Sequence, residues 1–462
     1  MFTEGTFPDQ LKLAKVVPVY KKGSLQEASN YRPISILPSF SKIFEKLILT
    51  RLQKFFNDHN IITPCQFGFR NGKSTTLALL NATETIKRNI ESKLITMGIF
   101  IDLTKAFDLI NHKILLFKME RYCIRGQPLN LIRSYLSNRR QYVAVNRKCS
   151  AISYITTGVP QGSILGPLLF NICINGLPDS ISASCILYAD DTNIFLEART
   201  VRLLFQKAAT ILDKFYVWLL DNALLANFQK CSYIVFRPYQ KAIDVLGEKL
   251  YFGNHLLHRV SSIKFLGVII QENLSWHEHI LLVRSKISSG LFALSRLRYL
   301  VPINTLLIVY HALIASHIAY ALEVYGATYE TNLLPILVAQ KRALRIMLFL
   351  HPRDSASSAF SLLNVLNIYS LIRYKVSLQM HRSLHSQDDT ISISWRTILY
   401  QLRHTSNNAQ PSVPRTNFGI FTFAYLGCTT WNSLPDKLRQ IAVFRSFQRK
   451  VKAHFLSSQN TV

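Results

Sequence analysis

Three aspartates stand out in a chain that is otherwise short of acid. Residues 185–195 read CILYADDTNIF, with Asp190 and Asp191 side by side between apolar runs, and another apolar run, LITMGIFID, ends at Asp102. The 462-residue chain carries 54 Lys and Arg against 26 Asp and Glu, a formal net charge of +28. Two carboxylates ~4 Å apart repel by about 4 kcal/mol at an effective dielectric of ~20. Protonation, a basic side chain or a metal ion must offset that cost. Successive side chains of a strand face opposite ways, so Asp190 and Asp191 serve one site only if a turn separates the two apolar halves. The Asp, Thr and Asn of YADDTN supply that turn chemistry. If the strand ending at Asp102 is a neighbour, three carboxyl groups meet at the mouth of one sheet. Such a set of hard oxygen ligands suits Mg²⁺, and two ions roughly 3.5–4 Å apart can stabilise both oxygens of an in-line phosphoryl displacement. The pair alone would read as a solvated turn; Asp102 and the basic composition argue for a site.

Other residues fit the same chemistry. In GVPQGSILGP, Gly158 and Gly162 allow close backbone approach to a ligand, and Gln161 offers an amide between them. Lys21, Lys22 and Arg32 are placed to meet a triphosphate, Arg32 through bidentate contact. Each signal is weak by itself. The basic excess is spread along the chain and far exceeds the ~2–8 charges a soluble domain needs, so it points to a polyanionic partner, foremost nucleic acid. Seven single cysteines without a C-x-x-C pair argue against a disulfide framework or zinc knuckle, and His277 and His279 in WHEH lack further ligands at metal spacing.

The elements that must position these groups are mixed. YRPISILPSFSKIFEKLILTRLQKFFNDHN turns at Pro33 and becomes an amphipathic helix with Ile43, Leu47, Ile48 and Leu52 on one side. QFGFRNGKSTTLALL places Gly68 and Gly72 in a loop, with Ser74 or Thr75 as N-cap of the helix that follows. The Gly/Pro loop at 158–167 leads into an apolar helix, and CILYADDTNIF reads as strand–turn–strand. KCSYIVF and SSIKFLGVII read as strands. Beyond about residue 275 the pattern is helical and basic. The uncharged stretch 305–322 reaches the length of a minimal membrane span, but its two histidines and its isolation favour a buried core helix. RHTSNNAQPSVPRT (403–416) has the composition of a linker.

Taken in order, LKLAKVVPVYKKGS…NYRPISIL, QFGFRNGKSTTLAL, FIDLTKAFDLINHKIL, GVPQGSILGPLLFNI, YADDT, NFQKCSYIVF and IKFLGVII resemble the motif series of reverse transcriptases, specifically those of non-LTR (LINE-like) retrotransposons. AQKRALRIM and TTWNSLPDKLR resemble the tail of the same element class, so the similarity covers nearly the whole chain. It implies an α+β right-hand polymerase: fingers, a palm with an antiparallel sheet and packed helices, and a thumb, followed by a mainly helical C-terminal region. Fingers and palm are expected over 1–272, a helical thumb and connection over 273–402, the linker over 403–416 and a small basic segment over 417–462.

The implied activity is RNA-directed DNA polymerase, a nucleotidyltransferase acting on an RNA template, a DNA primer and dNTPs. The resemblance makes Asp102, Asp190 and Asp191 the ligands of two Mg²⁺ ions, with Mn²⁺ as a substitute. Phe107 matches the bulky gate that clashes with a ribose 2′-OH. Gln161 and Gly162 match the loop beside the incoming nucleotide, Lys21 and Arg32 match finger residues on its triphosphate, and Lys230 matches a lysine that protonates pyrophosphate. Lys341, Arg342 and Arg345 would grip the template–primer backbone.

Departures from the family's pattern are local. Gly176 stands where an acid is common, and NFQKCS lacks the usual proline and threonine around Lys230. The chain begins at the fingers, which reads as a copy truncated before the endonuclease domain. No signal peptide and no run of five basic residues is visible, so the expected location is intracellular, nuclear and cytoplasmic, without a membrane; protein partners are not specified. The alternatives are a catalytically inactive retrotransposon relic that only binds nucleic acid, and a cellular palm polymerase, which Phe107 disfavours if it makes RNA.

Overall fold

The computed structural model describes residues 1–238, 242–245, 247–385, 409, 411 and 413–459. Most of the expected linker at 403–416 lies outside them.

The chain opens with a mixed sheet. Strands β1 (Leu13–Tyr20) and β2 (Tyr31–Ile36) pair antiparallel; helices α1 (Ser39–Asp58) and α2 (Thr75–Glu91), strand β3 (Ile95–Asp102) and helices α3 (His112–Arg121) and α4 (Gly126–Leu136) follow. Strand β4 (Arg139–Val145) then returns to run parallel with β1, and β5 (Lys148–Cys149) and β6 (Ser153–Ile155) pair with β4. Helices α5 (Gly166–Ile174) and α6 (Leu177–Ile181) lead into the hairpin of β7 (Cys185–Tyr188) and β8 (Asp191–Ala198). After α7 (Val201–Asp221), strand β9 (Ser232–Phe236) joins β3. Short strands β10 (Tyr251–Phe252), β11 (His255–Leu256) and β12 (His258–Arg259) come next. The central sheet has the order β12-β9-β3-β8-β7, antiparallel except for its β12 edge.

This sheet separates two cores because its side chains alternate. Met97, Ile99, Ile101, Ile194 and Leu196 face one way, into a core shared with Leu115, Phe170, Leu212 and Phe215. Phe100, Phe195, Ile234 and Phe236 face the other way, onto Ala78, Leu79, Ala82 and Ile86 of α2 and onward into the C-terminal helices. Asp102 and Asp191 belong to the Phe100/Phe195 face, at its open end.

The C-terminal half is helical after one hairpin. SSIKFLGVII is not a single strand: β13 (Ser262–Phe265) and β14 (Val268–Gln271) fold back on each other at Leu266 and Gly267, both with positive φ. That is the two-residue turn whose twist matches an antiparallel pair. Helices α8 (His277–Leu297), α9 (Ile303–Tyr310), α10 (Ser316–Ala319), α11 (Leu322–Tyr325) and α12 (Glu330–Met347) follow. The 305–322 stretch is therefore broken: a π-turn spans His311–Ala315, and Ala321 has φ 52°. Its Leu306, Tyr310, Ile314 and Ile318 are buried, and no described helix is long and apolar enough to cross a membrane. Helices α13 (Ser357–Leu362), α14 (Ile368–His385), α15 (Asn417–Ile420), α16 (Phe423–Asn432), α17 (Asp436–Arg439) and α18 (Phe444–Ser458) complete the described chain.

Helix α1 corrects a face assignment. Ile48 and Leu52 are buried with Leu49 and Phe56, but Ile43 and Leu47 are exposed with Phe40. Apolar residues occupy both sides of this helix, so periodicity alone did not choose the buried one.

Candidate active site

The carboxylates come together through strand register. Asp102, the last residue of β3, pairs directly with Asp191, the first of β8. Directly opposed residues share a face with Cβ atoms ~4.5–5.5 Å apart. Asp190 belongs to the two-residue turn between β7 and β8, where Ala189 has φ 55° and Tyr188 pairs with Asp191. A positive φ at the first turn residue usually calls for glycine, so Ala189 needs external support.

A brace outside the sheet supplies it. Leu187 donates its backbone N–H to Cys65 O at 2.9 Å and accepts from Phe67 N at 2.8 Å. Gln66 Oε1 accepts from Gly68 N at 2.8 Å and from Ala189 N at 3.3 Å. Asn171 Nδ2 of α5 donates to Gly68 O at 3.1 Å. A Cβ on Gly68 would lie 2.3 Å from Ala189 N, so only glycine allows this approach. Gln66, Gly68 and Asn171 are positioning residues that sequence reasoning missed.

Charge at the site is poorly compensated. Burial, together with the charge of Asp102, raises the Asp190 carboxyl, while Lys21 and Arg32 pull it down; both cations therefore lie within electrostatic reach. Burial, then Asp190 and Asp102, push Asp191 up to about 6, against Lys230. Lys230 donates from Nζ to Asp102 Oδ2 at 2.6 Å. Its loop is pinned to β3 by Asn227 N, which donates to Asp102 O at 2.7 Å, and by Lys230 N, which donates to Asn227 O at 2.9 Å.

The gate and the Gly/Pro loop form one laced unit. Phe107 stacks on Phe170 at 4.9 Å and meets Phe69 edge-on at 6.3 Å. Val159 N donates to Phe107 O at 2.9 Å, and Gly158 N to Ile110 O at 2.8 Å. Gln161 Nε2 donates to Asp108 Oδ1 at 2.9 Å. Gly162, at φ 117°, runs so close to β2 that a Cβ would meet Ser35 O at 2.7 Å. Lys341, Arg342 and Arg345 lie elsewhere, on α12, where Arg345 Nε donates to Asp354 O at 2.8 Å.

Residues 19–270 match the family described as reverse transcriptase (RNA-dependent DNA polymerase), more than half of the chain. The chain belongs to the reverse transcriptase family. Its relatives include the RNA-directed DNA polymerase from mobile element jockey of Drosophila melanogaster, 29% identical over 355 residues, covering 74% of this chain and 38% of the relative. The probable RNA-directed DNA polymerase from transposon BS of the same species is 28% identical, covering 73% of this chain and 38% of the relative. The chain thus spans about 38% of the length of these relatives. Among solved structures, apo telomerase from Candida Tropicalis aligns at a TM-score of 0.44 and 10% identity, covering 81% of this chain and 67% of that one.

The family match at 19–270 takes in the central sheet, α1 and most of the β1–β2–β4 sheet, and it ends within β14, ahead of α8–α12. Reverse transcriptases generally use divalent metal ions. By donor chemistry the three carboxylates suit such an ion: they are hard oxygen ligands whose mutual repulsion Lys21, Arg32 and Lys230 relieve only in part. Among the described residues no three His, Cys, Asp or Glu side chains are gathered closely enough to form a ready-made metal site, so the fit rests on donor type and on the pairing of Asp102 with Asp191. Lys230 holds one oxygen of Asp102 and leaves the other.

Proposed function

We propose that this chain is the RNA-directed DNA polymerase of a non-LTR retrotransposon, extending a DNA primer along an RNA template with dNTPs. The observation that carries the reading is the register pairing of Asp102 with Asp191 beside the Asp190 turn. Asp102, Asp190 and Asp191 would hold two Mg²⁺ ions, with Mn²⁺ able to substitute. When bound, these ions supply Lewis-acid stabilisation of the attacking and leaving oxygens.

The chain's own residues do the rest. Lys21 and Arg32, already within electrostatic reach of Asp190, neutralise the triphosphate. Phe107, wedged between Phe170 and Phe69, fills the space under the sugar and excludes a ribose 2′-OH. Gln161 and Gly162 form the wall beside the nucleotide. Lys230 delivers a proton from Nζ to the departing pyrophosphate, a role typically worth 10²–10⁴-fold. Lys341, Arg342 and Arg345 hold the template–primer backbone through contacts that weaken steeply with salt. Work on such templates is intracellular, in cytoplasm and nucleus.

The test is primer extension on an RNA template with dNTPs and Mg²⁺. The expected product is DNA of template length that Asp190→Ala removes. Tight template binding without any product from the unmodified chain would favour an inactive, nucleic-acid-binding relic.

A further inference from the structure

Glu45 has no place in the chemistry above, yet it is fully buried in a basic protein. An isolated buried carboxylate is costly unless hydrogen bonds satisfy it. Here Oε2 accepts from Ile164 N at 2.6 Å and Leu165 N at 3.3 Å, and Oε1 accepts from Ser41 Oγ at 3.2 Å. Ile164 and Leu165 enter α5, whose N-cap position, Leu165, offers no side-chain acceptor of its own. Glu45 therefore caps a helix that lies 119 residues further along the chain. Arg139, fully buried, lies with its guanidinium 4.7 Å from the Tyr135 ring centroid, and the Tyr135 side chain feels both Glu45 and Arg139.

The capped segment is the end of the Gly/Pro loop. Ser35 N, ten residues before Glu45, donates to Gln161 O at 2.7 Å. Gly166 N donates to Ser163 Oγ at 3.0 Å, closing the loop on itself. One stretch of the fingers, from β2 into α1, thus grips the loop at two points either side of Gly162. We propose that Glu45 is a positioning residue for the incoming nucleotide: its carboxylate fixes the height of residues 161–165 over the site while touching no reactant. This rests on the polymerase reading for its kinetic consequence, but not for the structural hold itself.

Two measurements separate these levels, using the full chain and its Glu45→Ala and Glu45→Gln variants. Hydrogen exchange in the free protein reads the hold directly. Glu45→Ala is expected to speed exchange at Ile164 and Leu165 by roughly tenfold or more, with the palm strands unchanged, since two charge-assisted bonds are lost. Glu45→Gln keeps one acceptor oxygen and is expected to fall between, and it serves if the alanine variant does not fold. Single-nucleotide insertion on a fixed template–primer reads the consequence. KM for the dNTP is expected to rise roughly ten- to hundredfold while kcat and template–primer affinity change less than about threefold. Unchanged exchange at 164–165 would overturn the proposal whether or not the chain polymerises. An unchanged KM, or a uniform fall in kcat, template affinity and melting temperature, would overturn it too. A wild-type chain that makes no product sinks the polymerase reading and leaves the exchange arm to judge Glu45.

Discussion

Gln161 and Asp108 lie 53 residues apart in sequence and are joined by a 2.9 Å hydrogen bond from the amide to the carboxylate. The same turn that carries Phe107 thereby fixes the side chain proposed to flank the nucleotide. Asp108→Ala is expected to raise KM for dNTPs by about ten- to hundredfold, the worth of one hydrogen bond to a charged group. Asp108→Asn, which keeps an oxygen in place, is expected to recover most of it. Steady-state insertion kinetics decide between them.

Loss of a central carboxylate should be far more severe. Asp102→Asn and Asp190→Ala are each expected to cut insertion by about 10³-fold or more, beyond the 10²–10³ of a typical charge-stabilising group. Rapid-quench measurement of single-nucleotide addition checks this, with circular dichroism showing that the variants fold.

Phe107→Ala removes the ring held by Phe170 and Phe69. The ratio of ribonucleotide to deoxyribonucleotide kcat/KM is expected to rise at least about tenfold, because a steric exclusion, not a hydrogen bond, is deleted. An unchanged ratio would contradict the assignment of this ring as the gate.

Two glycines give a paired test of the brace. Gly68→Ala would push a methyl into Ala189 N, and is expected to cost roughly 1–3 kcal/mol of stability and most of the activity. At Gly176, where a Cβ meets nothing within 4 Å, alanine is expected to be neutral or to stabilise by about 0.4–1 kcal/mol. Thermal unfolding and primer extension of the two variants read both.

Cys65 offers a pH readout from the same brace. A hydrogen bond with Cys185 holds its thiol down to about 6, and it is only partly buried. Its alkylation by iodoacetamide is expected to rise through roughly pH 6 and level off near neutrality, because the thiolate is the nucleophile. In Cys185→Ala the inflection is expected to move up toward the ordinary thiol value of about 8.5. Mass spectrometry of the labelled peptide follows the titration.

Much of this site is legible in the sequence because its parts are local. An apolar run closing on Asp102, a turn-rich YADDTN and a Gly/Pro loop before an apolar helix each announce themselves within a dozen residues. The α+β class and the right-hand architecture follow from the resemblance that these motifs, in their order, bear to the reverse transcriptase family. What stays hidden is pairing at a distance. Lys230 meets Asp102 across 128 residues and Glu45 meets Ile164 across 119, and no periodicity encodes either. The IKFLGVII turn is a different failure. The Leu-Gly pair sits inside a run apolar enough to read as one strand, and only the positive φ at both positions divides it.

The grip of α2 on the chain's later residues has a consequence for biosynthesis. Glu84 accepts from Phe423 N, Lys87 donates to Phe421 O, and Glu91 accepts from Arg415 N and Thr416 N, contacts spanning 324 to 339 residues. At ~5–20 residues per second a ribosome needs roughly 15–65 s to emit that much chain. For that interval the side of α2 that carries Glu84, Lys87 and Glu91 lacks its later cover, a natural window for chaperone engagement.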